Sequence, residues 1–404
     1  MQRRYQQLFS APGSKRFVLS GLIARLPLPM MGIGIITMLA QIKGSYALAG
    51  LVSATFVLAY ALLSPQISRL VDKYGQFYIL PIASTISVIG VSIVLWSSWA
   101  MVSDVGFFVG AALAGFMPSM SAMVRARWSA IYKGQSILQT AYSLETVLDE
   151  VTFIIGPPIS VGLAVALFPQ AGLIIAMFLL IVGVVSLILQ RKTEPVLSVS
   201  HAVASKPRWI MLQTGMQLLV LLMIAMGAIV GTVDISSVAL AEYVKQPASA
   251  SLVLSAYALG SCLMGLVYGA LTLKTSLPRL LLLGGILTAL SVLPLYFVSD
   301  VVSLAIVVFI AGLFFAPTMI VAMSLVENLV SENQLTEGMT WLLAGLNIGV
   351  AMGAALSGKL VDSYSIQAGF LVAIVGGVIV LLAAILGQRR HLLSHNSIDQ
   401  ATVE

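Results

Sequence analysis

Charge is what this chain has least of: Asp, Glu, Lys and Arg make up 9% of 404 residues, against 59% apolar side chains. Soluble domains carry roughly 25% charged and 45–50% apolar residues. No water-soluble fold can hide this much apolar surface, so the solvent that fits is lipid. One cysteine, Cys262, excludes a disulfide framework and a cysteine-built zinc site. The three histidines, His201, His391 and His395, lie in polar stretches, which argues against a histidine metal site. No Ser-His-Asp set, phosphate loop or nucleotide-binding motif appears, so enzymatic chemistry and ATP-driven pumping both lack their residues. The leading "MQRRYQQLFSAPGSKRF" lacks the small-residue cleavage site of a signal peptide, and the first apolar segment reads as a retained span.

What is present is a series of apolar segments, near 17–39, 46–67, 76–97, 103–127, 135–167, 170–190, 210–236, 249–272, 279–298, 302–326, 336–358 and 366–388. Each has roughly 20 residues or more, enough for a helix to cross ~30 Å of hydrocarbon. The polar stretch 191–209 reads as a central linker between six-span halves at 1–190 and 210–404. The expected fold class is an all-α integral membrane protein. Twelve transmembrane helices would form two six-helix pseudo-repeats around a central cavity, with both termini cytoplasmic. With that orientation, 17 of the 21 Lys and Arg fall on the cytoplasmic side, three (Lys43, Lys245 and Lys359) fall outside, and Arg25 lies within span 1. Basic residues concentrate on the cytoplasmic side of membrane proteins, so the net charge of +6 calls for no nucleic acid. The stretch "LVSATFVLAYALLSPQISRL" (51–70) also resembles "LVLSAYALGSCLMGLVYGAL" (252–271). Halves repeated in this way place a binding site near the bilayer midplane, opened to each side in turn as the halves rock.

Against this background "AYSLETVLDEVTFIIGPPIS" (141–160) stands out, with Glu145, Asp149 and Glu150 inside a span. Entering from the cytoplasm near Gln135, the helix carries Glu145 to a depth of ~15 Å and Asp149 to ~21 Å. The two are four residues apart and share a face. A carboxylate facing hydrocarbon costs about 2.5–3.5 kcal/mol or more, so that face must look into the bundle or a cavity. Two close carboxylates at low dielectric cannot both ionise cheaply, which suits a proton carrier. The competing reading is a structural pair held by hydrogen bonds or an arginine. Glu150 points about 100° away and reads as the structural member. Arg25, in span 1 at similar depth, either neutralises one of these acids, binds an anionic substrate or snorkels to the interface. Pro27 and Pro29 follow it and are expected to let span 1 bend. Asn347 in span 11 falls where the repeat would place Asp149 and is a candidate ligand-binding or helix-bridging group. Asp234 in span 7 lies towards the outer mouth. Gly345, Gly349 and Gly353 recur every four residues and read as close helix packing.

The loop between spans 2 and 3, "SRLVDKYGQ" (68–76), resembles the signature Gly-x-Leu-x-Asp-Arg-x-Gly-Arg-Arg of the major facilitator superfamily. Leu70, Asp72 and Gly75 match and Lys73 takes the arginine position, whereas Ser68 replaces the first glycine and Gln76 and Phe77 the closing basic pair. The second-half copy, "GALTLKTSLPR" (269–279), keeps Gly269 and Leu271 but has Leu273 at the acidic position. In span 5, "GPPISVG" (156–162) resembles the end of the helix-5 motif of antiporter-type exporters, with Gly156 and Pro157 matching and Gly162 one place late. There, glycine is expected to let span 5 approach its neighbour in the other half. Arg125 and Arg127 end span 4 beside Trp128 and read as interface anchors, so the family's intramembrane span-4 arginine is taken as absent.

The resemblance implies a monomeric, multi-pass secondary transporter of a bacterial inner (cytoplasmic) membrane, surrounded by lipid. Its partners would be a small-molecule substrate and protons. It would need no cofactor beyond a proton gradient, and Asp72 would steady the outward-facing state. Proton-coupled efflux (antiport) of an amphiphilic compound or metabolite is the leading expectation. The alternative is proton-coupled transport of organic anions or sugars, with Arg25 binding the anion.

Overall fold

The computed structural model describes residues 2–44, 46–100, 104–196, 209–245, 249–271 and 275–389. His201, His391, His395 and Leu273 lie outside them. Fifteen α-helices and four short 3-10 turns make up the secondary structure of the described residues. Among the described residues eleven helical stretches are long and apolar enough to cross a membrane, so this is a multi-pass membrane protein. By contacts the chain divides into two compact units. Gln2–Leu138 with Leu148–Ser198 form one, and Gln139–Val147 with Val199–Glu404 form the other.

The first unit begins with α1 (Gln2–Leu8), α2 (Ser14–Arg25) and α3 (Pro27–Lys43). Leu26, between α2 and α3, keeps helical dihedrals, so Pro27 and Pro29 leave one continuous stretch that serves as span 1. Then follow α4 (Tyr46–Tyr74), α5 (Gln76–Ala100), α6 (Val105–Ala114), α7 (Met120–Tyr132), α8 (Ile137–Ala166) and α9 (Ala171–Ile188). The turn from α4 to α5 is made at Gly75, whose φ of 91° is the left-handed conformation that only glycine adopts cheaply. It belongs to the loop that carries Leu70, Asp72 and Lys73, with Asp72 half-buried on the last turn of α4.

The expected span at 103–127 is not one helix. It breaks after Ala114, and the second helix starts at Met120. Pro118 is the cause: it has no N–H for the carbonyl of Ala114, four residues back, and its ring clashes with a continuing helix. The Ser87 hydroxyl donates to that carbonyl instead, at 2.7 Å. At the break Gly115 is jammed against α4, where a Cβ would lie 2.7 Å from the backbone nitrogen of Tyr60. The chain therefore re-enters helix at Met120 in a fixed position, and this aims the side chains of α7.

The second unit holds α10 (Thr214–Tyr243), α11 (Ser249–Ala270), α12 (Leu277–Val292), α13 (Val301–Leu329), α14 (Leu335–Ser363) and α15 (Ile366–Arg389). The start of α13 is capped by Asp300, whose carboxylate accepts from the backbone N–H of Val302 and Ser303 at 2.9 and 3.0 Å. The Ser303 hydroxyl, donating to Oδ2 at 2.7 Å, and then these backbone bonds hold the Asp300 carboxyl below the usual range. The packing of α10 on α14 is backbone on backbone. A Cβ on Gly349 would run into the carbonyl oxygen of Ile224, and one on Gly353 into that of Ala228. Helices in lipid gain little from apolar burial and associate through such close approach.

A side chain at Gly349 cannot be accommodated by rotamer change, because the obstacle is backbone. Gly349→Val is expected to cost at least about 1–3 kcal/mol. By contrast, nothing lies within 4 Å of a Cβ at Gly162, so Gly162→Ala is expected to be neutral or stabilising by up to about 1 kcal/mol. Thermal unfolding midpoints of the two purified variants in detergent measure both.

Candidate functional site

Asp149 is where the charges of the first unit converge. It sits on α8, and its side chain is 15% exposed. Arg125 Nη2, from α7, donates to Oδ2 at 2.8 Å. Arg25 Nη1, from the end of α2, lies 3.3 Å from Oδ1. Ser121, one turn before Arg125 on α7, also donates its hydroxyl to Oδ1. Both arginines are buried, Arg125 completely. Each can sit there because an ion pair offsets part of the several kcal/mol per ion that burial costs.

The sequence reading of Arg125 is therefore corrected. It does not anchor an interface; it is a buried partner of Asp149. The reason is the break at Pro118, which starts α7 at Met120 and draws Arg125 into the packed interior. Arg127 is corrected likewise: it is fully buried and bonded to α5 and α9. A proline inside an apolar segment was the signal available for both.

Alongside the cluster is a cavity of about 20 Å³, lined by Arg25, Tyr60, Met117, Ser121, Asp149 and Thr152 among others. That is room for one water molecule. Beyond it α8 is held by Ser160, whose hydroxyl donates to the carbonyl of Met30 at 2.9 Å. Ser160 occupies a position where the helix-5 motif has glycine. Gly172 and Gly34 are also packed against it, and a Cβ on either would lie 2.5 and 2.8 Å, respectively, from its hydroxyl.

The helix-5 motif behaves differently from expectation. Gly156 approaches span 1 of its own unit: a Cβ added there would lie 2.8 Å from Pro29 Cγ and 3.5 Å from the carbonyl oxygen of Leu26. Gly162 approaches nothing. Pro157 is half-buried within an unbroken α8.

The remaining candidates are dispersed. Glu145 is fully buried and belongs to the segment of α8 grouped with the second unit. There the same segment reaches α11, with Thr140 donating to the carbonyl of Gly269 at 2.6 Å and Gln139 to that of Tyr268 at 3.0 Å. Glu150 is half-buried beside Asp149. Asn347 on α14 and Asp234 on α10 are half-buried in the second unit. Among the described residues no group of three or more His, Cys, Asp or Glu is placed to hold a metal ion.

Below the cluster, Gln76 and Phe77 are both engaged at the start of α5, where the loop signature has basic residues. The Gln76 amide donates to the carbonyl of Met123 at 3.0 Å and accepts from Arg127 Nε at 2.8 Å. The N–H of Phe77 is capped by Glu194 at 2.9 Å, and the Arg191 guanidinium lies over its ring at 3.4 Å.

Long apolar helices surround a buried charge cluster, the build of a multi-pass membrane protein with a polar site inside it. The family model of the Major Facilitator Superfamily matches the chain over residues 17–237 and 218–401, and the chain belongs to that superfamily. No curated protein matches the sequence. Among solved structures, a bacterial homologue of the iron transporter ferroportin in an outward-facing state is similar at a TM-score of 0.78 and 12% identity, covering 94% of this chain and 100% of its own. The human organic anion transporter MFSD10 is similar at 0.67 and 13%, covering 95% and 100%. The E. coli fucose:proton symporter FucP is similar at 0.64 and 13%, covering 92% and 98%. At these identities the likeness is one of fold.

Proposed function

We propose that the protein is a secondary transporter carrying a small organic anion by alternating access, with Arg25 and Arg125 binding the anion and Asp149 carrying a coupling proton. The observation that carries this reading is the geometry of the cluster. Two buried guanidiniums meet on one carboxylate, the arrangement by which arginines recognise a carboxylate. Arg125 supplies the buried span-4 cation that the sequence reading took as absent, and this favours the organic-anion alternative over an amphiphile. The fold is shared with carriers described as acting on a sugar with protons and on organic anions, so the choice falls to the site. Export by proton antiport draws on Gly156 and Pro157, and is weakened by Ser160 and by the open surroundings of Gly162.

In this reading α6, the break and α7 together form one crossing, which makes twelve. The halves 1–190 and 210–404 move about the linker 191–209, in a bacterial inner membrane with both termini cytoplasmic and the protein a monomer. Asp72 on its loop steadies one conformer. Glu145, Asn347 and Asp234 complete the transport path, with Glu150 structural.

Counterflow in proteoliposomes tests the reading, using panels of carboxylates, sugars and organic cations. The intact protein is expected to exchange carboxylates. Arg125→Gln is expected to reduce that exchange by about tenfold or more, the worth of one charged hydrogen bond, with Arg125→Lys retaining part of it. Exchange of cations but no carboxylate by the intact protein would overturn it.

A further inference from the structure

We propose that the turn just after α9 holds the phosphate of an anionic phospholipid, at a site built on Arg191. The site is separate from the Asp149 cluster and does not depend on the anion reading above. The turn, Arg191–Thr193, is a short 3-10 helix. The Arg191 guanidinium lies over the Phe77 ring of α5, its carbon 3.4 Å from the centroid. Among the described residues that guanidinium has no hydrogen-bond or ion-pair partner. Both sides of the stack are held in place. Thr193 Oγ1 accepts from Arg127 at 2.7 Å, and Glu194 Oε1 accepts from the N–H of Phe77 at 2.9 Å. A stacked guanidinium keeps its N–H edge for other acceptors, and that fork matches a phosphate bidentately.

The level of this site in the membrane follows from α5. Tyr78 and Trp96 are 65% and 67% exposed, and they lie 18 residues, or five full turns, apart, so they share one face. The rise between them is ~27 Å, close to the ~30 Å of hydrocarbon, and Tyr and Trp collect at its two borders. Phe77 precedes Tyr78, with the two rings 5.3 Å apart. Arg191 therefore stands at a border, where phosphates lie. On the same face as Tyr78, Ile82 and Ile89 are also exposed. From Tyr78 to Ile89 the strip runs ~16 Å inward, about one leaflet deep. A ligand with an acyl chain meets both the strip and the guanidinium, which is the argument for a lipid over free phosphate. Local charge selects an anionic one. Lys192 beside Arg191, and Arg69 and Lys73 on α4, are exposed. The acids here are Asp72 on α4 and Glu194, whose carboxylate is turned to the N–H of Phe77. Basic residues outnumber them, and each contributes about fivefold to the attraction of an anionic lipid. The bound lipid would bridge the end of α9 and the start of α5, at the root of the linker.

Native mass spectrometry of the purified full chain in detergent tests this, with titrations of phosphatidylglycerol and of phosphatidylcholine bearing the same acyl chains. The intact protein is expected to retain one phosphatidylglycerol about tenfold more tightly than phosphatidylcholine, the effect of between one and two basic residues. Arg191→Ala is expected to lower that preference about fivefold. Arg191→Lys keeps the charge without the planar fork and should retain part of it. Arg191→Ala removes no hydrogen bond among the described residues, so its unfolding midpoint in lipid-free detergent should match the parent's. Arg279→Ala is the control: it removes an equally exposed arginine at the start of α12 and is expected to leave the preference unchanged. Soluble glycerol phosphate, which has the headgroup chemistry without the chains, should displace the lipid poorly. Equal retention of the two lipids by the intact protein overturns the proposal. So does an equal loss on Arg279→Ala, which would make the attraction one of diffuse charge, or full displacement by glycerol phosphate, which would make the ligand a free anion.

Discussion

Asp149→Ala is expected to lower stability by about 3–5 kcal/mol, because it leaves Arg25 and Arg125 buried beside each other without their shared counter-ion. The loss has a specific remedy. Removing the carboxyl leaves a gap of about the size of formate, faced by the Ser121 and Arg125 donors that held it and by the Arg25 guanidinium. Formate is expected to bind there and restore part of the loss. A ligand at 100 times its Kd contributes about 2.7 kcal/mol. Thermal unfolding of the purified variant in detergent, with formate against chloride at matched ionic strength, reads the effect. The intact protein, whose site is filled by Asp149, should show little response. A variant as stable as the parent would mean that the two guanidiniums have other counter-charges, and the cluster would then lose its role as an anion site. A destabilised variant indifferent to formate would keep the ion pairs as structural and remove their access to a ligand.

The sequence made some of this legible and not the rest, for physical reasons. A carboxylate in the middle of an apolar segment must face a partner, so Asp149 could be picked out from composition and helix geometry alone. Arg25, as the lone cation in span 1, could be matched by depth to the acids of span 5, though to Glu145 more closely than to Asp149. Arg125 could not be found that way. Hydropathy sums over a window, and the window at 103–127 ran across the break at Pro118 without registering it. The register of α7 then came out wrong, and two buried arginines were read as surface ones. Glycines posed a different problem. A recurring Gly announces a close approach but not its partner. Gly349 and Gly353 are where the pattern implied. Gly156 approaches span 1 of its own unit, because Ser160 and the carbonyl of Met30 tie α8 there. Which neighbour a helix meets is decided by contacts distant in sequence, and a single chain does not carry that information.

Arg127 offers the second large effect, and it separates charge from geometry. Its guanidinium is fully buried and makes four bonds: Nε to Gln76 Oε1 at 2.8 Å, Nη1 to the carbonyl of Gln190 at 3.0 Å and to Thr193 Oγ1 at 2.7 Å, and Nη2 to the carbonyl of Leu187 at 3.0 Å. All the acceptors are neutral. Two of them are carbonyls at and just past the end of α9, each of which also accepts from a backbone N–H three residues on, Leu187 from Gln190 and Gln190 from Thr193. Arg127 thus ties α7 to the start of α5 and caps α9. It also holds the turn that carries Glu194 to the N–H of Phe77. Arg127→Ala would leave Gln76 Oε1 buried without this donor, at about 1–3 kcal/mol, and would remove all four bonds that join α7 to α5 and to the end of α9. It is therefore expected to prevent stable assembly of this end of the unit. Arg127→Lys keeps the charge but is a point donor on a flexible stem and cannot span three elements at once. It should recover less than half of the loss. Arg127→Met, of similar length and without charge, removes the desolvation cost of the buried cation as well as its bonds. If geometry dominates, Lys and Met will be similarly destabilised in thermal unfolding. If the charge itself matters, through the nearby Glu194, Lys will be clearly the more stable of the two. Full stability of Arg127→Ala would show that the backbone donors of Gln190 and Thr193 suffice for these carbonyls, and Gln76 would then lose its place as the link between α5 and α7.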